Sequence, residues 1–230
     1  MSKDTWTAVD AYIAEKLVAP DPALDAATAA SAAAGLPHIA VSPAQGKLLG
    51  ILARSIAARR ILELGTLGGY STIWLARALA PGGRLITLEA NPAYAEVASA
   101  NIANAGLSDT VELRLGRALD TLPHLAAEVA ETGEPFDFIF IDADKQNTPE
   151  YFTWVLELAR PGSLIVTDNV IRDGAVIDSA SEDPVILGAR RFHDMLASGG
   201  AFDGRVSATT IQTVGVKGYD GFTVALVAPR

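Results

Sequence analysis

The chain has no cysteine among its 230 residues, and that absence removes thiol nucleophiles, thiolate metal sites and disulfides together. Histidine is nearly missing too. The three present, His38, His124 and His193, are scattered, with none of the paired spacing a zinc site needs. Positive charge is scarce: 18 Lys and Arg stand against 27 Asp and Glu, for a net charge of −9. With no basic run to follow a phosphate backbone, nucleic acid is not an expected partner. Long apolar runs are lacking as well. The most continuous one, "AATAASAAAGLPHIAV", is broken by Ser, Thr, Gly and Pro and is too polar to span a bilayer. The opening "MSKDTWTAVDAY" does not have the basic-then-apolar design of a signal peptide. These absences suit a cytoplasmic protein with no membrane partner.

Half of the residues are apolar, enough for one sizeable core. No repeat or linker-like segment divides the chain, so 1–230 reads as one domain in which 1–36 form an N-terminal helical extension. Residues 5–18 and 22–34 have helix-favouring composition, and the Ala-rich 26–34 stretch reads as a surface for close helix packing, against a second subunit among other options. Ser42 and Pro43 are an N-cap and a first helical position, after which Leu48, Leu49, Leu52 and Ile56 recur at helical spacing. From residue 60 the rhythm becomes strand, helix, strand. "RILELG", "RLITLE", "TVELRLG", "FDFIFID" and "SLIVTDN" are strands. The segments between them, "YSTIWLARALA", "NPAYAEVASANIANAG", about 117–131 and "TPEYFTWVLELAR", are helices, and "PG" stops the last one. One more helix, about 184–198, precedes "RVSATTIQTVGV" and "GFTVALVAP", a hairpin closed by "KGYDG". The expected architecture is an α/β fold: a doubly wound, mostly parallel seven-stranded sheet ending in an antiparallel hairpin.

In such sheets ligands bind beyond the C-terminal strand ends. "ELGTLGGYS" there is a Gly-rich turn in which Gly65, Gly68 and Gly69 let backbone approach a ligand and the next helix offers free amides. Leu67 stands where G-x-G-x-x-G requires its second glycine, so a dinucleotide pyrophosphate is poorly served. A tight turn with no ligand is the plain alternative. Glu89 ends the second strand, where a carboxylate accepts the hydroxyls of an adenosine ribose. Nucleoside binding follows, with the cofactor left open. Asp142, Asp168 and Asn169 end two successive strands that a right-handed crossover places near one another. Three hard oxygen ligands suit Mg²⁺ or Ca²⁺; turn-capping Asp and Asn explain the same residues equally well.

"LELGTLGGYSTIWLA", "ITLEANPAYAEVASANIANAGL", "FDFIFIDADKQNTPEY" and "TDNVIRDGAV" resemble, in order and spacing, the caffeoyl-CoA/catechol O-methyltransferase family. That family is the cation-dependent class of S-adenosylmethionine-dependent methyltransferases, and the resemblance covers roughly residues 37–229. It implies a Rossmann-like methyltransferase fold, a homodimer and an acceptor with two vicinal phenolic hydroxyls. Glu63, Gly65 and Ser71 would line the methionine end of the cofactor, with Gly69 and Tyr70 shaping the turn. Glu89 would hold the ribose, and Ala118 would meet the adenine through its backbone. Val41, near where many members carry Met, would add a backbone contact. Asp142, Asp168 and Asn169 would hold the cation (Mg²⁺ foremost, Ca²⁺ or Mn²⁺ in reserve), with Asp142 also bordering the cofactor. Lys145 matches the family's proposed catalytic lysine. The rival reading is a nicotinamide-dependent oxidoreductase using the same sheet and Glu89; the missing G-x-G-x-x-G and the oxygen trio count against it. A binding protein on a retired methyltransferase fold is disfavoured because the metal and lysine set is complete.

Overall fold

The structure, a computed structural model, describes residues 2–229. Its helices start where the sequence supplies a cap followed by proline. Asp21 accepts hydrogen bonds from the Ala23 and Leu24 N–H groups (3.0 and 3.2 Å) and opens α2, Pro22–Ala33. Ser42 accepts from Gln45 N–H (3.2 Å) and opens α3, Pro43–Ser55. Asn91 opens α5, Pro92–Asn104, and Asp183 opens α8, Pro184–Leu196, in the same way. Each cap satisfies amides that the first turn leaves orphaned, typically worth about 1 kcal/mol, and proline loses nothing where no amide partner exists. The remaining helices are α1 (Lys3–Leu17), α4 (Tyr70–Ala76), α6 (Ala118–Thr132) and α7 (Thr148–Leu158).

The strands are β1 (Arg60–Leu64), β2 (Arg84–Glu89), β3 (Val111–Leu115), β4 (Phe136–Ile141), β5 (Ala159–Asp168), β6 (Val206–Gly215) and β7 (Gly218–Val227). They form a seven-stranded sheet in the order β3-β2-β1-β4-β5-β7-β6. The β1–β2, β2–β3 and β4–β5 pairs are parallel, and β5–β7 is antiparallel. The expected doubly wound α/β architecture with a terminal hairpin is the one observed.

Two compact units divide the chain. The first runs through Arg117 and includes the hairpin tip Gly215–Gly218. Here β1 is buried on both faces, and α2 lays Leu24 and Ala27 against Ile73 of α4, with Tyr70, Trp74, Ala105 and Leu107 around them. Of the Ala-rich stretch 26–34 only Ala27 is buried; the other alanines are exposed. The hairpin tip closes on the N-terminal segment: Val216 N–H donates to Asp10 Oδ2 (2.7 Å) and Lys217 Nζ to the His38 carbonyl (2.6 Å). The second unit holds the remainder, from Ala118. All six residues of β4 are buried, and Phe152 packs between Phe192 and Phe202 at ring distances of 5.2 and 5.1 Å.

Several boundaries differ from expectation: the hairpin turns at residues 216–217 and β7 already starts at Gly218, so most of "KGYDG" is strand. Helix α4 stops at Ala76 rather than running through "RALA", because Ala80 N–H leaves to donate to the Ala58 carbonyl (2.8 Å) ahead of β1. Strand β5 takes in "ARPG" instead of starting after it. Ser163 Oγ there accepts from Arg160 N–H (2.9 Å) and donates to the Phe136 carbonyl (2.7 Å), holding Pro161 and Gly162 against β4 across a bulge.

Asp21 ties the start of α2 to Arg77 just past α4. Burial works against its charge, but the Arg77 hydrogen bond and charge with the Leu24 and Ala23 N–H groups outweigh that and hold its pKa below 3.8. A depressed carboxylate stabilises the fold above its unfolded pKa, and the contribution is lost as pH falls through the folded value. Asp21→Ala should therefore cost about 1–2 kcal/mol at neutral pH. In urea titrations the gap between variant and wild type should start to shrink as pH falls below 3.8 and close once pH has passed the lower folded value. A gap that persists in acid would show that charge is not its source.

Candidate active site

In the first unit the site begins with a buried carboxylate. Glu63, on β1, is 0% exposed and accepts hydrogen bonds from Ser71 Oγ (2.6 Å), Thr72 Oγ1 and Thr87 Oγ1 (2.7 Å). It thereby ties the first turn of α4 to β1 and β2. The loop between them needs left-handed backbone at Gly65 (φ 96°), Leu67 (φ 49°) and Gly69 (φ 82°). Gly68 serves a different need. A Cβ there would lie 2.0 Å from Ser31 Oγ and 3.1 Å from Ser31 Cβ, so a larger residue would have to displace the Ser31 hydroxyl from α2. Asn101 Nδ2 on α5 donates to the Gly68 carbonyl (2.8 Å).

Glu89 ends β2 and clasps the same loop. Its Oε2 accepts from Thr66 N–H (3.2 Å) and Leu67 N–H (2.8 Å), and its Oε1 accepts from Asn91 N–H (2.9 Å). A carboxylate offers about four acceptor sites, so capacity for a ligand hydroxyl remains. Tyr70 turns its ring into the α2–α4 cluster. Burial, with the charges of Asp25 and Asp21 adding to it, raises its phenol above 10.0, so it stays neutral at physiological pH. Val41 is buried just ahead of α3.

In the second unit Ala118 is buried at the start of α6. Asp142 follows β4, and its Oδ1 accepts from Lys145 Nζ at 2.6 Å, with both side chains largely covered (21% and 14% exposed). Lys145 stands in a single 3₁₀ turn, Lys145–Asn147. Asp144 braces that turn by accepting from Asn147 Nδ2 and the Tyr151 hydroxyl. Helix α8 presses on the same turn through Gly188, where a Cβ would lie 2.4 Å from the Lys145 carbonyl oxygen.

On the neighbouring strand Asp168 is buried, and its Oδ1 accepts from Asn169 N–H (2.8 Å). Asn169 is left-handed (φ 57°). The register Ile141↔Thr167 makes Asp142 and Asp168 the next residues on adjacent parallel strands. Among the described residues no three His, Cys, Asp or Glu are gathered as a metal would require, so an amide oxygen would have to complete this set. Asp142, Asp168 and Asn169 offer an all-oxygen donor set, which fits a hard cation such as Mg²⁺, Ca²⁺ or Mn²⁺.

The structure thus brings Glu63 together with Ser71, Glu89 with the Gly65–Gly69 loop, Asp142 with Lys145, and Asp168 with Asn169. Sequence reasoning missed the supporting residues Thr72, Thr87, Asn101, Gly188 and Asp220. Only two carried a signal: Gly188 is a glycine inside a helix, and Asp220 is a carboxylate beside the hairpin turn.

The O-methyltransferase family model matches residues 17–226. The catechol O-methyltransferase of Niastella koreensis is 55% identical over 227 residues, covering 99% of this chain and 100% of that one. Among solved structures, the O-methyltransferase from Bacillus cereus in complex with SAH superimposes with a TM-score of 0.92 at 53% identity, covering 98% of this chain and 100% of that chain. The O-methyltransferase of Streptomyces achromogenes involved in tomaymycin synthesis, in complex with SAM, gives 0.92 at 52% identity and covers 100% of both chains. A glycine turn clasped by a strand-end glutamate, a lysine against a strand-end aspartate and a match over nearly the whole length lead to one conclusion: the chain belongs to the O-methyltransferase family.

Proposed function

We propose that this chain transfers a methyl group from S-adenosylmethionine to one hydroxyl of a vicinal diphenol and requires a divalent cation, Mg²⁺ foremost. The observation that carries the reading is Lys145 Nζ at 2.6 Å from Asp142 Oδ1, with Asp168 ending the adjacent strand. The 55%-identical relative named as a catechol O-methyltransferase supports the acceptor class, and the related structure in complex with SAM supports the donor.

S-adenosylmethionine supplies an electrophilic methyl group, and a divalent cation supplies Lewis acidity that lowers a phenol's pKa from its ordinary ~10 and fixes its orientation. The chain's own residues do the rest, largely by positioning. Glu89 accepts the ribose hydroxyls while its remaining lone pairs hold the loop. Gly65, Gly69 and Ser71 present backbone and hydroxyl to the methionine end, with Glu63 fixing Ser71 from behind. The Val41 and Ala118 backbones border the cofactor, as does Asp142. The cation falls to Asp142, Asp168 and Asn169. With a cation taking its place at Asp142, Lys145 would release its own proton to solvent and then take that of the reacting hydroxyl, and Asp144 and Gly188 hold its turn in place. A nicotinamide-dependent oxidoreductase is not favoured: its relatives here are O-methyltransferases, and the loop lacks the second glycine. Titrating with S-adenosylhomocysteine and with NAD separates the two, since only the first should bind. The reading also includes a cytoplasmic homodimer. No helix among the described residues is long and apolar enough to cross a membrane.

Removing the Glu89 carboxylate deletes a charge-assisted acceptor worth about 1.5–3 kcal/mol. Calorimetry should find S-adenosylmethionine affinity at least about tenfold lower for Glu89→Ala, and unchanged affinity would sink the ribose assignment. EDTA should abolish methylation of a catechol and Mg²⁺ should restore it, while S-adenosylhomocysteine still binds. Lys145→Ala should keep cofactor and cation yet lose ~10²–10⁴-fold in rate near neutral pH, recovering in part as rising pH ionises the phenol. Full activity after chelation would overturn the cation, and a wild-type rate without Lys145 would overturn the base. Light scattering should give twice the monomer mass at micromolar concentration; the monomer mass itself would refute the dimer.

A further inference from the structure

The corner that follows β5 is strained and held from one side. Asn169 (φ 57°), Arg172 (φ 55°) and Asp173 (φ 54°) are left-handed without being glycine, and Gly174 (φ 84°) follows them. A non-glycine residue in that region costs roughly 1–2 kcal/mol, so such a run persists only where its surroundings over-determine it. The surroundings are the first residues of β7. Asp168 pairs with Phe222 in the antiparallel register, Val170 N–H donates to the Gly221 carbonyl (3.1 Å), and Asp173 N–H donates to the Tyr219 carbonyl (3.2 Å). Between these rungs sits one carboxylate. Asp220 Oδ1 accepts from Ile171 N–H (2.9 Å), Arg172 N–H (3.0 Å) and Gly221 N–H (2.9 Å), and Oδ2 faces Arg172 Nη1 at 3.4 Å. Glycine at 221 keeps the clamp tight, since a Cβ there would lie 2.4 Å from the Ile211 carbonyl oxygen and 2.7 Å from Ile171 Cγ1.

We infer that Asp220 is a positioning residue for the cation site, acting through the backbone of 170–172 to hold Asp168 and Asn169 in the geometry that presents their oxygens. The inference rests on the cation reading above and adds to it a residue 51 positions beyond Asn169 in the chain. Three bonds hold the chain at and just beyond Asn169. Its own N–H is held by Asp168 Oδ1 (2.8 Å), and the chain beyond it is fixed by Asp220 at Ile171 and Arg172. With both ends pinned, the left-handed turn has one way to run, and the amide and the carboxylate before it move together. Without the clamp the strained residues relax towards ordinary backbone and the pair loses its common aim. No proton moves in this role, and the charge of Asp220 matters less than its oxygen acceptors.

The test measures Mn²⁺ binding to the whole protein by calorimetry, with thermal melting and S-adenosylhomocysteine binding alongside. Asp220→Ala should bind Mn²⁺ about 10–100-fold more weakly, as loss of a partner that orients metal ligands typically does, while S-adenosylhomocysteine affinity stays at the wild-type value. Asp220→Asn keeps an oxygen that can accept from Ile171 and Arg172, so it should bind Mn²⁺ much as wild type does even if its melting point falls. A purely structural role would lower the melting point of both variants and leave Mn²⁺ affinity untouched in the folded protein; that outcome overturns the inference. Equal weakening by Ala and Asn overturns it too, because the amide acceptor would then be idle. A wild type that binds no Mn²⁺ overturns the cation reading itself, together with this inference, before any variant is compared.

Discussion

A carboxylate withdrawn from water must have its oxygens hydrogen-bonded, or the cost of burying it is prohibitive. This chain meets that demand with Glu63 and Glu89, and uses a third, partly exposed carboxylate, Asp220, in the same way to hold a loop at a strand end. Glu63 accepts three hydroxyls and fixes the start of α4. Glu89 accepts the amides of Thr66 and Leu67 and holds the glycine loop after β1. Asp220 accepts the amides of Ile171 and Arg172 and holds the corner after β5. In each case the desolvation of the charge and the irregular path of the loop are resolved by the same bonds. The loops proposed to carry the chemistry are therefore the ones the fold cannot release.

The two units reach irregular backbone by different routes. Around Gly65 and Gly69 the chain uses glycines with little intrinsic penalty for positive φ, leaving Leu67 (φ 49°) as the exception that Glu89 holds, and Gly68 leaves room for Ser31 of α2. After β5 the chain places Asn169, Arg172 and Asp173 in the same region and relies on β7 to keep them there. The first solution suits a surface against which a ligand's backbone-like atoms can lie. The second suits side chains that must point in a set direction, because glycine has none to offer. Methyl transfer depends on holding two reactants in line more than on covalent assistance, and rigid, over-determined loops serve that requirement.

Much of the fold was legible because its signals are local. Asp21-Pro22, Ser42-Pro43, Asn91-Pro92 and Asp183-Pro184 each announce a helix start, and the structure begins a helix at every one. Two of the boundaries that moved were decided by distant partners: Ala58 for the end of α4 and Phe136 for the start of β5. The same division runs through the site. Asp142 and Lys145 lie three residues apart, so their meeting could be read from spacing, and Glu89 could be read from its place at a strand end. Thr72, Thr87 and Asn101 could not, and Gly188 and Asp220 stood out only as residue types, since nothing near them in the chain shows what they touch.

By itself, then, the sequence determined the order of strands and helices, the oxygen-rich strand ends and the lysine beside them, because caps, apolar period and turn residues act over a few positions. The tertiary structure alone decided which partner each donor and carboxylate would find. Glu63 with Thr87, Asn101 with the Gly68 carbonyl and Asp220 with Ile171 are choices made by strand register and helix packing, across separations at which local preference carries no information.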